Sequence, residues 1–464
     1  MRSFADSDGD GVGDLRGIVD KLDYLRWLGI DALWLSPVTV SPDKDWGYDV
    51  ADYTDVQPVF GDLWALDELI SQAGARAMHV IIDIVPNHTS DRHAWFLEAR
   101  ASLESPRHDW YVWADPNPDG SPPNNWRSTF GGGSAWKLDE PTGRFYLHNF
   151  LPEQPDLNWW NDDVRAAFDD ILRFWLDRGV AGFRIDVAHG IVKDRELRDN
   201  PDPAVSTYNA NRDDVHDVLR RWRRVVDEYQ PDRVLLGETW VMDLQRLARF
   251  YGNGEDELHL AFNFPFTFSD LGADQLRSIV ETTESVLPER AWPVWTLSNH
   301  DIVRFPTRMA GGDARKARAL LFVLFTLRGT PVLYYGDELG MPQAEIPPGR
   351  ERDMAGRDGA RTPLPWNGAW TDPWLPLTAD VATVADQRDD DGSFLSYCRG
   401  LIAQRRVNPD LVAGDYESIP SPEGVWAFRR GENTRVAVNL TDEDAELEDG
   451  LRLAPWQGIV HTRG

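Results

Sequence analysis

Apolar residues in this chain follow two alternating rhythms. Short runs rich in Val, Ile, Leu and Trp lie near 30–37, 78–85, 180–187, 233–240, 258–265, 292–299 and 329–335, and each reads as a strand buried on both faces. Between them the spacing lengthens to three and four. Leu15, Ile18, Leu22, Leu25 and Leu28 form one helical stripe, Leu63, Leu66, Leu69 and Ile70 a second, and Ala314 to Leu327 carries a third. Strand alternating with helix over this length predicts a parallel sheet, and a closed (β/α)8 barrel rather than an open one. Seven of its strands are legible.

The alternation breaks twice. Residues 89–157 are rich in Trp, Pro, Gly and Asn, with Trp110, Trp113, Trp126 and Trp136 among them, which predicts a subdomain inserted after strand 3 of the full barrel. Its tryptophans are expected mostly to pack the insertion itself. In 409–464, Val425–Phe428 and Val436–Asn439 read as strands joined by turn chemistry, so a small all-β C-terminal domain is predicted there. The barrel then comprises 1–88 and 158–408.

Polar residues close several of the apolar runs. They are Asp83 with Asn87 and His88, Arg184 with Asp186, Glu238 with Thr239, and Asn299 with His300 and Asp301. In a parallel barrel the carboxyl ends of all strands collect on one face, so four such endings imply one shared site. An Arg two residues before an Asp on a strand points the same way, and Arg184 is expected to orient Asp186 and keep it ionised. A lone Asp or Glu more often caps a helix, and a lone His is more often structural. The joint pattern is what points to chemistry, with Asp83 and Asn87 expected to shape the loop.

Composition narrows the partners. The net charge of −29 argues against nucleic acid and anionic membrane surfaces, which need a basic footprint. No apolar run is long enough to span a bilayer, and no signal-peptide pattern opens the chain. The single Cys398 excludes an internal disulfide and suits a reducing, cytoplasmic compartment, with the protein a monomer or weak oligomer.

The loop from Asp6 to Asp14 places Asp6, Asp8 and Asp10 at alternate positions, Gly11 at the turn, the Val12 carbonyl at the seventh place and Asp14 at the ninth. That is the oxygen pattern of the first nine places of a calcium loop, without the closing Glu or the preceding helix of an EF-hand. Ca²⁺ or Mg²⁺ is the expected cofactor, structural and remote from the strand-end site.

Five segments in order, Gly47-Tyr-Asp49, Asp83 to His88, Gly182 to Val187, Gly237-Glu-Thr239 and Asn299-His-Asp301, resemble the strand-end motifs of glycoside hydrolase family 13, the α-amylase family. Gln154-Pro-Asp-Leu-Asn158 and Gly356-Arg-Asp-Gly-Ala-Arg-Thr-Pro363 resemble segments of its α-glucosidase and oligo-1,6-glucosidase branch. The resemblance implies a retaining, exo-acting enzyme on short α-glucosides. Asp186 would be the nucleophile, Glu238 the acid/base and Asp301 the third carboxylate, with His88, His300 and Arg184 around the same sugar. Asp45 and Arg357 would grip the non-reducing end, Tyr48 would floor that glucose, and His189 would touch a second sugar. The same residues suit an oligo-1,6-glucosidase or a transglycosylase such as a sucrose- or trehalose-converting enzyme, and linkage preference stays open. In this family the metal loop follows the first barrel strand, so that strand is expected upstream of Met1. Without it, the 464-residue chain is expected to be poorly soluble or weakly active.

Overall fold

All seven apolar runs become parallel strands in the structure, a computed structural model that describes residues 1–368 and 370–462. They are β1 (Ala32–Leu35), β2 (His79–Ile84), β3 (Gly182–Ile185), β4 (Val234–Gly237), β5 (Leu260–Ala261), β6 (Val294–Thr296) and β7 (Thr330–Val332). Sheet order follows chain order. Register runs Ala32 to His79, Ile81 to Gly182, Gly182 to Val234 and Leu236 to Leu260; a parallel bridge, Phe262 to Val294, then carries the arc to β6, where Val294 pairs with Thr330. β2 is buried at every position but His79, as a strand covered on both faces must be.

At Gly182 strands β3 and β4 approach so closely that a Cβ would lie 2.0 Å from the Val234 carbonyl oxygen, and φ is +151°. Only glycine fits there.

Between β7 and β1 the arc stays open. Among the described residues these edges pair with no further strand, and a cavity of about 760 Å³ lies between them, lined in part by Leu33, Leu35, Val332, Phe325 and Ile402 and reaching Trp34, Tyr48 and His300.

Helices cover the outside of the arc. The first stripe forms two short helices, α1 (Leu15–Asp20) and α2 (Leu22–Leu28), because the backbone leaves helical geometry at Lys21, whose N–H bonds the Ile18 and Val19 carbonyls. Gly29, at φ +100°, ends α2. The second stripe becomes α3 (Leu63–Gly74), N-capped by Asp62, whose carboxylate accepts from the Ala65 N–H. Helix α4 (Asp162–Asp177) buries Val164, Phe168, Ile171, Leu172 and Trp175 at helical spacing, and α5 (Ala314–Thr326) lies beside β7 in the chain.

The insertion contains a three-stranded antiparallel sheet in the order Trp113–Ala114, Arg144–Leu147, Trp136–Asp139. Of its five tryptophans Trp110, Trp113, Trp126 and Trp136 are buried; Trp126 stacks on Trp136 at 5.9 Å in the insertion's own core, while Trp110 and Trp113 belong to the main core. Toward the C-terminus, Tyr416–Ile419, Val425–Arg430, Thr434–Asn439 and Gly458–Thr462 form one antiparallel sheet. The span expected to be all-β opens instead on a short helix, Pro409–Ala413, because Asn408 caps it and Pro409 suits its first turn. Arg430, fully buried, ties this part to the barrel by donating to the Thr326 carbonyl at the end of α5 at 2.6 Å, while Arg405, partly buried and within the barrel span, donates to Phe325 O at 2.9 Å.

Candidate active site

One buried guanidinium organises the strand ends. Arg184, 1% exposed, donates through Nη1 to Asp186 Oδ1 at 2.7 Å and to Asp83 Oδ1 at 3.0 Å, while Nη2 lies 3.0 Å from Glu238 Oε2. Its carbon sits 4.9 Å from the Trp34 ring centroid. Carboxylates from β2, β3 and β4 therefore share one cation, a surplus of negative charge with little water to screen it. Burial pushes the Asp186 carboxyl well above the ordinary range, the Glu238 charge pushes it further, and Arg184 only opposes them. Burial likewise raises Asp83 to about 6 against the pull of Arg184. This corrects the expectation that Arg184 simply keeps Asp186 ionised. The sequence places the two side by side; it does not reveal that Arg184 is divided among three acids.

Glu238 has a second anchor. The Val187 N–H donates to Glu238 Oε2 at 2.9 Å, and Val187 holds φ at +45°. For a β-branched residue that conformation costs about 1–3 kcal/mol, strain placed directly after the nucleophile candidate.

The other side of the site is built by Arg357. Its Nη2 meets Asp45 Oδ1 at 2.6 Å and Asp353 Oδ1 at 2.7 Å, and its Nη1 meets Asp301 Oδ1 at 2.9 Å. Phe130 of the insertion packs against this guanidinium at 4.9 Å. Arg361 adds a second cation, 3.1 Å from Asp301 Oδ1, and donates to the His300 carbonyl at 2.8 Å. Burial alone would raise the Asp301 pKa, but the positive surroundings hold it below the usual carboxylate range. Burial also lowers His300 to about 3, so its ring is neutral near pH 7 and the two arginines supply that charge.

Tyr48 stacks on His300 with centroids 5.3 Å apart and planes 8° from parallel, its hydroxyl 2.9 Å from His300 Nε2 and donating to Asp83 Oδ2 at 3.0 Å. His88, 1% exposed, sets Nε2 3.0 Å from the Tyr48 carbonyl and 3.0 Å from Gln154 Nε2, and Gln154 also donates to Asp45 Oδ2 at 3.0 Å. All nine expected catalytic and sugar-binding residues therefore join one connected cluster. His189 turns its Nδ1 to the Trp240 N–H, which donates at 3.3 Å.

Gln154, Asp353 and Arg361 belong to the same cluster without having been singled out. Arg361 and Asp353 stand four residues either side of Arg357, a spacing that places side chains together only once the chain is known to turn there; Gln154 opens the Gln-Pro-Asp-Leu-Asn segment.

The loop before α1 brings Asp6, Asp8 and Asp14 together, one oxygen of each within 4.8 Å of the others. Asp14 also caps α1, accepting from the Gly17 N–H at 2.6 Å. Asp10 is not in this group; its Oδ1 accepts from the Val12 N–H at 2.8 Å, as Asp8 Oδ1 accepts from the Asp10 N–H at 3.2 Å. Three hard oxygen donors gathered this closely fit Ca²⁺ or Mg²⁺.

Known proteins match the chain along its length. Residues 1–414 match the α-amylase catalytic domain. A probable α-glucosidase of Rhizobium meliloti (strain 1021) is 41% identical over 504 residues, covering 98% of this chain and 90% of that protein. An oligo-1,6-glucosidase of Heyndrickxia coagulans is 35% identical over 510 residues, covering 96% and 91%. Among solved structures, an α-glucosyl transfer enzyme superposes with a TM-score of 0.95 at 40% identity, covering 100% of this chain and 97% of that one.

Proposed function

Because the chain belongs to the α-amylase family and is a glycoside hydrolase, we propose that it is a retaining, exo-acting α-glucosidase that removes terminal glucose from short α-glucosides. The observation that carries this reading is the suspension of Asp186 and Glu238 from neighbouring amino groups of Arg184. Retention needs two carboxyl groups about 5–5.5 Å apart, and two acids hanging from one guanidinium suit that span.

Asp186 attacks the anomeric carbon as Glu238 gives its proton to the departing oxygen. Glu238 then takes a proton from water, which displaces Asp186 and restores the α configuration. Asp301, kept ionised by Arg357 and Arg361, grips ring hydroxyls more tightly as the sugar flattens, so it binds the transition state better than the ground state. Asp45, Arg357 and Gln154 close the pocket around the non-reducing end, and Tyr48 and His300 offer a flat wall. A chain end fits there and a polymer interior does not. Hydrolysis of maltose and isomaltose with release of α-glucose, followed by NMR, tests the reading; β-glucose as the first product contradicts it.

Glucosyl transfer is a second reading. Trp240, two residues beyond Glu238, is 36% exposed and stacks on Phe264 at 4.5 Å, with Phe268 at 5.5 Å and 37% exposed. This apolar surface on the leaving-group side suits an acceptor that competes with water. A constant ratio of transfer product to glucose as acceptor concentration rises would refute it.

Asp6, Asp8 and Asp14 would hold a Ca²⁺ or Mg²⁺ ion that neutralises the loop leading into α1; it takes no part in the chemistry. We read the seven strands as the strands of a (β/α)8-type barrel, with an insertion at 89–157 and a C-terminal unit at 409–464. Unpaired edges predict fast amide exchange at Leu33 and Val332, and strong protection there would contradict this. No helix among the described residues is long and apolar enough to cross a membrane, and a cytoplasmic monomer or weak oligomer suits the composition.

A further inference from the structure

Behind the sugar-gripping residues lies a buried ion pair that the reaction does not use. Lys193, 3% exposed, sets Nζ 2.8 Å from Asp156 Oδ2, itself fully buried, and donates to Asn87 Oδ1 and to the Ile191 carbonyl. Asn149 donates to both oxygens of Asp156, from its N–H at 2.9 Å and its Nδ2 at 2.8 Å. The pair thus joins the loop after β2, the insertion and the loop after β3.

The amide of Asn87 has two orientations, and the ammonium permits one. With Oδ1 on Lys193, Nδ2 must face His88 Nδ1, 3.0 Å away, and Asp156 Oδ2, 3.3 Å away. An amide nitrogen only donates, so Nδ1 must be the bare nitrogen of the ring. Burial lowers the His88 pKa and keeps the ring neutral, so its single proton sits on Nε2 and donates to the Tyr48 carbonyl. The reverse state is also nearly complete. Were the amide to flip, Nδ1–H would donate to Asn87 and the bare Nε2 would accept from Gln154 Nε2, 3.0 Å away. Each tautomer leaves one mismatch at Nε2, Gln154 in the first and the Tyr48 carbonyl in the second, but the flip would also set Asn87 Oδ1 against Asp156 Oδ2 and Nδ2 against the ammonium. The opposite charges of Lys193 and Asp156 decide between them.

We propose that Lys193, with its partner Asp156, is a positioning residue that fixes His88 as the Nε2–H tautomer by holding the Asn87 amide in one orientation, so that His88 donates to the Tyr48 carbonyl and holds the backbone of the ring that stacks on His300. The functional half of this inference rests on the α-glucosidase reading; the tautomer half needs no substrate. The test is ¹⁵N NMR of histidine-labelled full-length protein, with the His88 signals assigned by their loss in His88→Gln. The unmodified protein should show a bare Nδ1 and a protonated Nε2. Lys193→Met combined with Asp156→Asn, which removes both charges that orient the amide, should move proton density to Nδ1. Asn87→Asp, nearly isosteric, puts an acceptor against Nδ1 and should do the same even where the double variant fails to fold. Both variants should lose about tenfold in kcat/KM on an aryl α-glucoside, mainly through KM, while Lys193→Arg keeps the tautomer and activity within about threefold. A protonated Nδ1 in the unmodified protein, or an unmoved tautomer in Asn87→Asp, overturns the inference. So does a shifted tautomer with unchanged KM, which leaves the proton's position without consequence. Absence of activity on every α-glucoside would defeat the functional reading alone, since the spectra would still decide the tautomer.

Discussion

Arg357 and Asp45 lie 312 positions apart in the chain and meet at 2.6 Å, closing one end of the pocket. The same guanidinium reaches Asp301 and Asp353, so removing it takes a positive partner from three carboxylates at once. Arg357→Ala should raise KM for disaccharides and lower kcat/KM by about a hundredfold or more. Starch should be a poor substrate of the unmodified protein, and a rapid fall in starch viscosity would show internal cleavage instead.

Asp186 and Glu238 hold different roles and should fail differently. Asp186→Ala should cut hydrolysis of every α-glucoside by about 10⁴-fold or more. Glu238→Ala should be most damaging with poor leaving groups and mildest with activated aryl glucosides, which depart without a proton. Wild-type rates on maltose in either variant would break the pairing.

The raised Asp186 carboxyl carries a pH consequence. A nucleophile must be ionised, so kcat/KM should fall on the acid side at a pH well above the ordinary Asp range. Asp83→Asn removes one neighbouring negative charge and should shift that limb to lower pH. A limb that stays in place, or moves upward, would show that the three acids do not share Arg184 as described.

How much of this was legible in the sequence depends on the range of the interaction. Runs such as 78–85 announce β2 because a strand covered on both faces needs continuous apolar residues, and Asp83, Asp186, Glu238 and Asp301 are legible because strand ends converge. The break at Lys21 was not, since Leu15 to Leu28 keeps helical spacing across it. Nor was the Lys193–Asp156 pair, whose members lie in two loops and meet only when the insertion folds back.

The acidic loop before α1 should matter for stability rather than rate. Chelation should lower the melting temperature by a few degrees with initial rates at low temperature nearly unchanged. Immediate and complete loss of activity on chelation would place the metal at the site of chemistry.

Asp337 offers a separate pH signature. It is fully buried, its Oδ1 has no hydrogen-bond partner and lies 3.9 Å from Arg304 Nη1, and burial raises it to about 7. Between the ordinary Asp pKa of about 4 and pH 7 the folded state holds a proton that the unfolded state has released, so stability falls as pH rises through that window. Asp337→Asn cannot titrate and should escape this part of the decline. The gap in unfolding free energy between variant and wild type should therefore shift in the variant's favour by a few kcal/mol from pH 5 to pH 8. A constant gap across that range would refute the assignment.

The central claim is that Asp186 forms a bond to the sugar. A fluorinated α-glucosyl fluoride that forms its covalent intermediate faster than it hydrolyses should inactivate the protein, and mass spectrometry of the digested product should find one glucosyl residue on the peptide carrying Asp186. An unmodified Asp186 peptide from inactivated protein, or the label on another carboxylate, would contradict the account.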